Sequence, residues 1–252
     1  MNHQFEDIEV KENAIELLED RLRRKRTKCM IGLGSMSDPY MPIEKNLRYT
    51  RKALETAYSH GFGFTLITKS DLVLRDIDLF KAINEKSKCV IQMTLTTYDD
   101  NLCRIIEPNV SVTSERVKAL KTLKDAGIPT VIWLTPILPF INDTAENIKG
   151  IIEYAKDAGV YGIICFGMGL TLRDGNREYF YNALDKSFPG IKERYMQEYG
   201  MKYIIDSPKS YELNRLFHQK AEEYGILHDN DRIFRYLYEY EEKNEPKQLM
   251  LF

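Results

Sequence analysis

The sequence predicts an α/β fold on a row of parallel strands, with a barrel favoured over an open doubly wound sheet. Apolar strand-like runs alternate with amphipathic helical runs from residue 29 to residue 166, and strict alternation implies parallel strands joined by right-handed crossovers. Gly61, Gly127 and Gly159 stand just past three of the helical runs, where glycine commonly ends a helix. On the third strand Gln92, Thr94 and Thr96 fall on one face and Ile91, Met93 and Leu95 on the other. A doubly wound sheet meets helices on both sides and needs two apolar faces, whereas the inner wall of a barrel can line a polar cavity.

Taken in order, the chain opens with a helix over residues 11–26, whose Ala14, Ile15, Leu17, Leu18 and Leu22 share one side. A strand from Cys29 then breaks into Gly34, Ser35, Ser37, Asp38 and Pro39, a strand ending in an open loop. Helices are expected over 43–60, 75–86, 113–126 and 144–158, and strands over 63–69, 89–97, 130–136 and 160–166. A loop with Gly167, Gly169, Thr171 and Arg173 leads to helical stretches 177–184, 190–199, 210–224 and 231–242. Their many tyrosines and phenylalanines fit helix packing better than a cofactor box. Three units follow: an incomplete barrel over 1–200, a helical extension over 201–246 and a tail over 247–252. Five strands behind a helix that has no strand of its own do not close, which leads us to expect that the natural first strand is missing.

The 252 residues suffice for one large domain. With 36 Lys and Arg against 38 Asp and Glu the net charge is −2, which excludes no class of partner, since nucleic acid is bound by local patches. Residues 21–28 are one basic patch, read first as a helix end complementing its dipole and second as a phosphate contact. No apolar run approaches the roughly 20 residues of a membrane helix, and the N-terminus lacks a signal peptide's apolar core, so a cytoplasmic protein is expected. The four cysteines, Cys29, Cys89, Cys103 and Cys165, contain no C-x-x-C pair. They are expected as reduced, packed thiols that build no metal site by themselves.

Chemistry is expected at the strand ends. These carry Ser35, Ser37 and Asp38; Thr68, Lys69 and Ser70; Thr96, Tyr98 and Asp99; residues 136–139; and Gly167 and Gly169. Arg116 opens a helix shortly after Glu107 and Pro108. Backbone amides, hydroxyls and two cations describe a pocket for a ligand with an anionic group and several hydroxyls. Lys69 by itself can be a Schiff-base lysine of an aldolase-like barrel, a carboxylate clamp or a surface lysine.

Several ordered motifs together are more specific than any one. Asp-Pro-Tyr-Met-Pro-Ile-Glu from Asp38, Ile-Thr-Lys-Ser from Ile67, Leu-Arg-Asp-Ile-Asp from Leu74, Ile-Glu-Pro-Asn-Val from Ile106, Ser-Glu-Arg from Ser114, Asp-Ala-Gly-Ile from Asp125 and Pro-Ile-Leu-Pro from Pro136 occur in this order. The series resembles the radical S-adenosylmethionine enzymes of the spore photoproduct lyase-like group, often labelled DNA repair photolyases, over residues 5–199. The resemblance implies a partial (βα)6 TIM-type barrel holding S-adenosylmethionine and a [4Fe-4S] cluster, with reductive cleavage of the former to a 5′-deoxyadenosyl radical. It implies that Gly34, Ser35, Ser37 and Asp38 face the methionyl amino group, that Lys69 and Arg116 meet its carboxylate, and that Thr94 or Thr96 meets the ribose. The family holds its cluster on C-x-x-x-C-x-x-C after the first strand, and this triad is absent. The missing strand and the missing cysteines point to one absent segment, so this chain by itself is expected to be inactive.

The tail Gln248-Leu249-Met250-Leu251-Phe252 is similar to the bacterial sliding-clamp-binding pentapeptide, with Gln248, Leu249, Leu251 and Phe252 as its contact residues. The first functional expectation is therefore a radical S-adenosylmethionine enzyme of nucleic-acid repair or modification, brought to DNA by the clamp. Its hydrogen donor is not placed; Cys165 is a candidate. The alternative is a non-catalytic protein that binds S-adenosylmethionine or the clamp, with an aldolase-like lyase as a third reading.

Overall fold

The computed structural model describes residues 8–173 and 175–243. Helix α1, Ala14–Arg24, places Arg21, Arg23 and Arg24 in its last turn, where positive charge complements the helix dipole. Arg23 and Arg24 also pair with Asp20. Strand β1 (Met30–Leu33) leads through α2 (Glu44–Leu47) and α3 (Tyr49–Ser59) to β2 (Gly63–Thr68). A 3-10 turn, Asp71–Asp76, and α4 (Ile77–Lys86) lead to β3 (Cys89–Thr94). Helices α5 (Asp100–Ile106) and α6 (Thr113–Asp125) lead to β4 (Thr130–Trp133), and α7 (Ala145–Ala158) to β5 (Gly162–Ile164). The five strands form one parallel sheet in sequence order.

Beyond the sheet, β6 (Gly169–Thr171), α8 (Asn176–Ser187), α9 (Ile191–Tyr199) and β7 (Ile204–Asp206) build a second apolar cluster around Leu172, Tyr195 and Ile205. The stretch expected as a loop thus contains a strand, β6, which pairs antiparallel with β7. Two final helices, α10 (Ser210–Glu223) and α11 (Asn230–Tyr238), return to the barrel, α10 against α7 and α11 against β5.

One further expectation changes, and one helix is added. The single helix over 43–60 is two helices, because Arg48 takes a left-handed φ of 53°. The Glu44 carboxylate accepts the Tyr49 and Thr50 N–H groups at 2.9 and 3.0 Å and so caps a fresh helix that satisfies two otherwise orphaned donors. The short α5 carries no legible amphipathic repeat in the sequence. Its start is set by Asp99, whose carboxylate accepts the Asn101 and Leu102 N–H groups.

The two faces of the sheet divide as the alternation on β3 requires. Phe64, Leu66, Ile91, Met93, Ile132 and Ile163 are buried in one cluster with Leu54, Phe80, Leu120, Ile148 and Ile151 of the crossover helices. On the other face Thr65 Oγ1 donates to the Val90 carbonyl and accepts from Gln92 Nε2, each at 2.8 Å. Gln92 Oε1 in turn accepts from Trp133 Nε1 at 2.7 Å. A polar chain therefore crosses three strands with every partner inside the protein, which is what makes such burial affordable. Below it α11 sets Ile233 and Leu237 on Val90, Val131 and Ile164, sealing that end of the inner face.

The edge of β5 is closed by a backbone bridge and by side-chain mimicry of a strand. Leu227 bridges Gly162, and the Asn230 amide both donates to the Cys165 carbonyl and accepts its N–H. At the opposite end of the strands from their carboxyl termini, Lys88 is buried. Its Nζ reaches the Glu239 carbonyl at 3.1 Å and Glu241 Oε1 at 2.9 Å, and lies 3.8 Å from the Tyr236 ring centre. Lys243 N–H completes this clasp on the Lys86 carbonyl. The clamp-like residues Gln248, Leu249, Leu251 and Phe252 lie outside the described residues, as does the end of the expected helical extension. Among the described residues no helix is long and apolar enough to cross a membrane.

Candidate functional site

The carboxyl ends of the strands share one mouth, and its first shoulder is the loop after β1. Gly34 has φ +97°, and a Cβ there would collide with the Ile67 carbonyl oxygen of β2, so this close approach requires glycine. Asp38 then fastens the loop to β2: its carboxylate accepts from Tyr40 N at 2.8 Å, Thr68 Oγ1 at 2.6 Å and Lys69 N at 2.7 Å. Behind it Asp76 accepts from the Tyr40 hydroxyl at 2.9 Å and pairs with Arg51 and Arg75, while Arg75 also reaches Glu44 at 2.8 Å. Burial, followed by the neighbouring Asp76 carboxylate, pushes the Tyr40 hydroxyl far above its usual range, which keeps it a donor.

The second shoulder is an ion cluster between β2, β3 and α5. Lys69 Nζ lies 2.6 Å from Glu107 Oε1, and Arg116 Nη1 lies 2.7 Å from Glu107 Oε2. Arg116 has no exposed side-chain surface. Its other contacts are Nε to the Ser111 carbonyl at 2.7 Å, Nη1 to the Thr94 carbonyl at 2.9 Å and Nη2 to Cys103 Sγ at 3.7 Å. The Lys69 side chain, by contrast, is 34% exposed. Burial raises the Glu107 carboxyl, but Lys69 and Arg116 together outweigh it and hold the group below the ordinary carboxylate range.

Between this cluster and the helix α8 lies a cavity of about 490 Å³, lined by Lys69, Thr96, Glu107, Pro136, Leu138, Leu170, Tyr179 and Phe180 among others. Its wall contains a buried polar atom with no partner, Thr96 Oγ1. The Thr96 carbonyl is doubly held, by Asn142 Nδ2 at 2.8 Å and Asn147 Nδ2 at 2.9 Å. The backbone is thus fixed while the hydroxyl, at the edge of the cavity, has no partner, and an unsatisfied buried hydroxyl costs roughly 1–3 kcal/mol.

The structure brings Lys69, Arg116, Thr94 and Thr96 together, but at different depths. Only Lys69 and Thr96 line the cavity, while Thr94 offers its carbonyl to Arg116 from behind. Gly34, Ser37 and Asp38 line a separate apolar hollow of about 440 Å³ against α1, joined to the first cavity through the bond from Lys69 N to Asp38. Ser35 lies in the same loop. Glu107 was noted in the sequence only as a neighbour of Arg116. Its signal was Glu-Pro placed nine residues before an arginine, which has no meaning until α5 folds it under Lys69. The inner face also carries an aromatic row that the sequence did not reveal, in which Phe166 lies 5.8 Å from Trp133 and 6.0 Å from Phe234, and Tyr238 stacks on Phe234.

Residues 3–145 match the Radical SAM superfamily, more than half of the chain. The chain belongs to this superfamily. An uncharacterized protein of Methanocaldococcus jannaschii is 38% identical over 199 residues, covering 79% of this chain and 70% of that protein. The Radical SAM Nalpha-GlyT isomerase of Pseudomonas phage M6 is 22% identical over 227 residues, 88% of this chain and 46% of the isomerase. In three dimensions a spore photoproduct lyase variant with AdoMet and dinucleoside spore photoproduct bound superposes with a TM-score of 0.60 at 14% identity, over 83% of this chain and 63% of the lyase. The fold is therefore the partial TIM-type barrel of that structure, and the chain spans under two thirds of the lyase and under half of the phage isomerase.

The superfamily implies S-adenosylmethionine and a [4Fe-4S] cluster, and the residues present answer differently to each. A threonine with an orphaned hydroxyl and a half-buried lysine on one cavity fit the polar groups of S-adenosylmethionine. The cluster does not fit. Cys89 and Cys103 are buried, Cys29 and Cys165 partly so, and burial raises the thiols of Cys89, Cys103 and Cys165. Among the described residues no three His, Cys, Asp or Glu side chains converge as a metal set.

Proposed function

We propose that this chain is the S-adenosylmethionine-holding part of a radical SAM protein of the spore photoproduct lyase-like kind, and that the protein acts on nucleic acid. Thr96 carries the reading: its Oγ1 is buried and has no partner, and the residue lines the same cavity as Lys69. A ribose hydroxyl satisfies such an oxygen, and a carboxylate satisfies such an ammonium. Arg116, enclosed by protein acceptors, stands behind Lys69 rather than on the ligand. Nucleic acid is favoured as substrate by the aromatic row on the inner face, where Phe166 is 61% exposed, since bases stack on such rings at roughly 1–3 kcal/mol each. The tail from Gln248 to Phe252 is proposed to bind a bacterial sliding clamp, and its deletion is expected to abolish that binding.

Titration calorimetry with S-adenosylmethionine tests the cofactor reading through two substitutions. Lys69→Met is expected to weaken binding roughly tenfold or more, about 1.4 kcal/mol. Thr96→Val is expected to weaken binding too, yet to leave the ligand-free protein as stable or more so, because it removes an unsatisfied buried hydroxyl. If the wild-type chain does not bind the compound, or Thr96→Val binds as well as wild type, the assignment fails.

A further inference from the structure

Glu107 is a buried acid at the edge of the candidate site, and both of its oxygens are held by the protein. We propose that Glu107 is a positioning residue that sets Lys69 to receive a single carboxylate, an inference that rests on the cofactor reading above. An ammonium on a flexible four-carbon stem has three donors and no fixed direction of its own. The 2.6 Å contact with Glu107 Oε1 engages one of them and thereby orients the others.

Glu107 is itself fixed from behind. Its N–H bonds the Cys103 carbonyl at 2.8 Å, at the end of α5. Its second oxygen meets Arg116, which is locked onto the carbonyls of Ser111 and Thr94. A chain of short contacts therefore runs from the backbone of β3, through Arg116 and Glu107, to Nζ of Lys69. Two cations against one anion leave a surplus of one positive charge. Arg116 is wholly enclosed, so that surplus is presented at Lys69, on the cavity. A ligand bearing one carboxylate matches it; a ligand without one gains nothing from the cluster.

A double-mutant cycle with Lys69→Met, Glu107→Gln and the pair tests this, using two probes: S-adenosylmethionine, and methylthioadenosine, which has the nucleoside and thioether but no carboxylate. We expect each single substitution to weaken S-adenosylmethionine binding roughly tenfold and the pair to be no weaker than Lys69→Met alone, because Glu107 acts only through Lys69. Methylthioadenosine should bind all four proteins within twofold. Additive losses overturn the proposal, as does an equal loss for both probes, which marks a general structural role. Unchanged or tighter S-adenosylmethionine binding by Glu107→Gln also overturns it, since Glu107 would then be a competitor. If Glu107→Gln does not fold, Glu107→Asp replaces it in the cycle. That variant keeps a charge for Arg116 but withdraws the anchor of Lys69 by one methylene, so a coupled loss supports the proposal and wild-type affinity overturns it. A wild-type chain that binds no S-adenosylmethionine overturns the cofactor reading and this one together, whereas binding with an additive cycle overturns this one alone.

Discussion

Asp76 and Glu107 are both buried carboxylates beside arginines, on neighbouring crossovers of the same barrel, and they differ in what surrounds them. Around Asp76 the buried acids Asp76 and Glu44 face two arginines, Arg51 and Arg75, and the Tyr40 hydroxyl and the start of α3 take remaining acceptor positions. Around Glu107 one acid faces two cations, and one of the cations is open to a cavity. With Asp78 and Glu55 also on Arg51, acids outnumber cations around Asp76; such a cluster has no cation left for an anionic ligand, and it fixes the loop from Gly34 to the break at Arg48. A cluster with one cation in excess holds an attraction that only something from outside can satisfy.

The largest effect that tests this contrast is expected from Asp76→Asn. It leaves Arg51 and Arg75 facing a neutral amide in a buried position, and should lower stability by about 3 kcal/mol in urea denaturation. The folded fraction should bind S-adenosylmethionine as wild type does; weakened binding would mean that the first cluster is not scaffold alone. A smaller effect concerns acid. The Glu107 carboxyl is held below its ordinary value of 4.5, so its charge stabilises the fold above that value, and the contribution is lost as pH falls through the lower folded value. Denaturation of wild type and Glu107→Gln should therefore differ most near neutral pH and converge on acidification below roughly pH 4.5. A difference independent of pH would show that Glu107 is not carried as an anion. The smallest effect belongs to Asp78, 58% exposed at the rim of the first cluster. Asp78→Asn should change stability by no more than about 0.5 kcal/mol, and by less in high salt.

How much of this was legible in the sequence depends on whether a feature is local. The parallel sheet, the division of β3 into a polar and an apolar face and the helix stops at Gly61, Gly127 and Gly159 follow from periodicity and backbone preference, and the structure has them. So does the mouth at the strand ends, where Lys69, Thr94, Thr96 and Arg116 do gather. The break at Arg48 was hidden because its cause is a side chain: Glu44 caps a helix five residues on. Strand β6 was hidden because its partner is more than thirty residues later. The polar chain from Thr65 through Gln92 to Trp133 spans three strands, and no single stretch announces it. Glu107 was missed as a participant for the same reason, since its meaning lies in the distance to Lys69, thirty-eight positions earlier. The order of cations outward from the β3 backbone, Arg116 enclosed and Lys69 half-buried on the cavity, is likewise a property of depth, which residue types do not encode.

The clasp around Lys88 has a practical meaning for handling the protein. It anchors Lys243 beside the amino-terminal end of β3, while Thr96 and Lys69 lie past the carboxyl ends of the strands. Six residues of extended chain, roughly 17–20 Å, separate the two ends of β3. Lys243 therefore stands at the floor of the barrel and not at its doorway. A fluorophore or a surface linker carried on the Lys243 side chain is set apart from the cavity by the length of the strands.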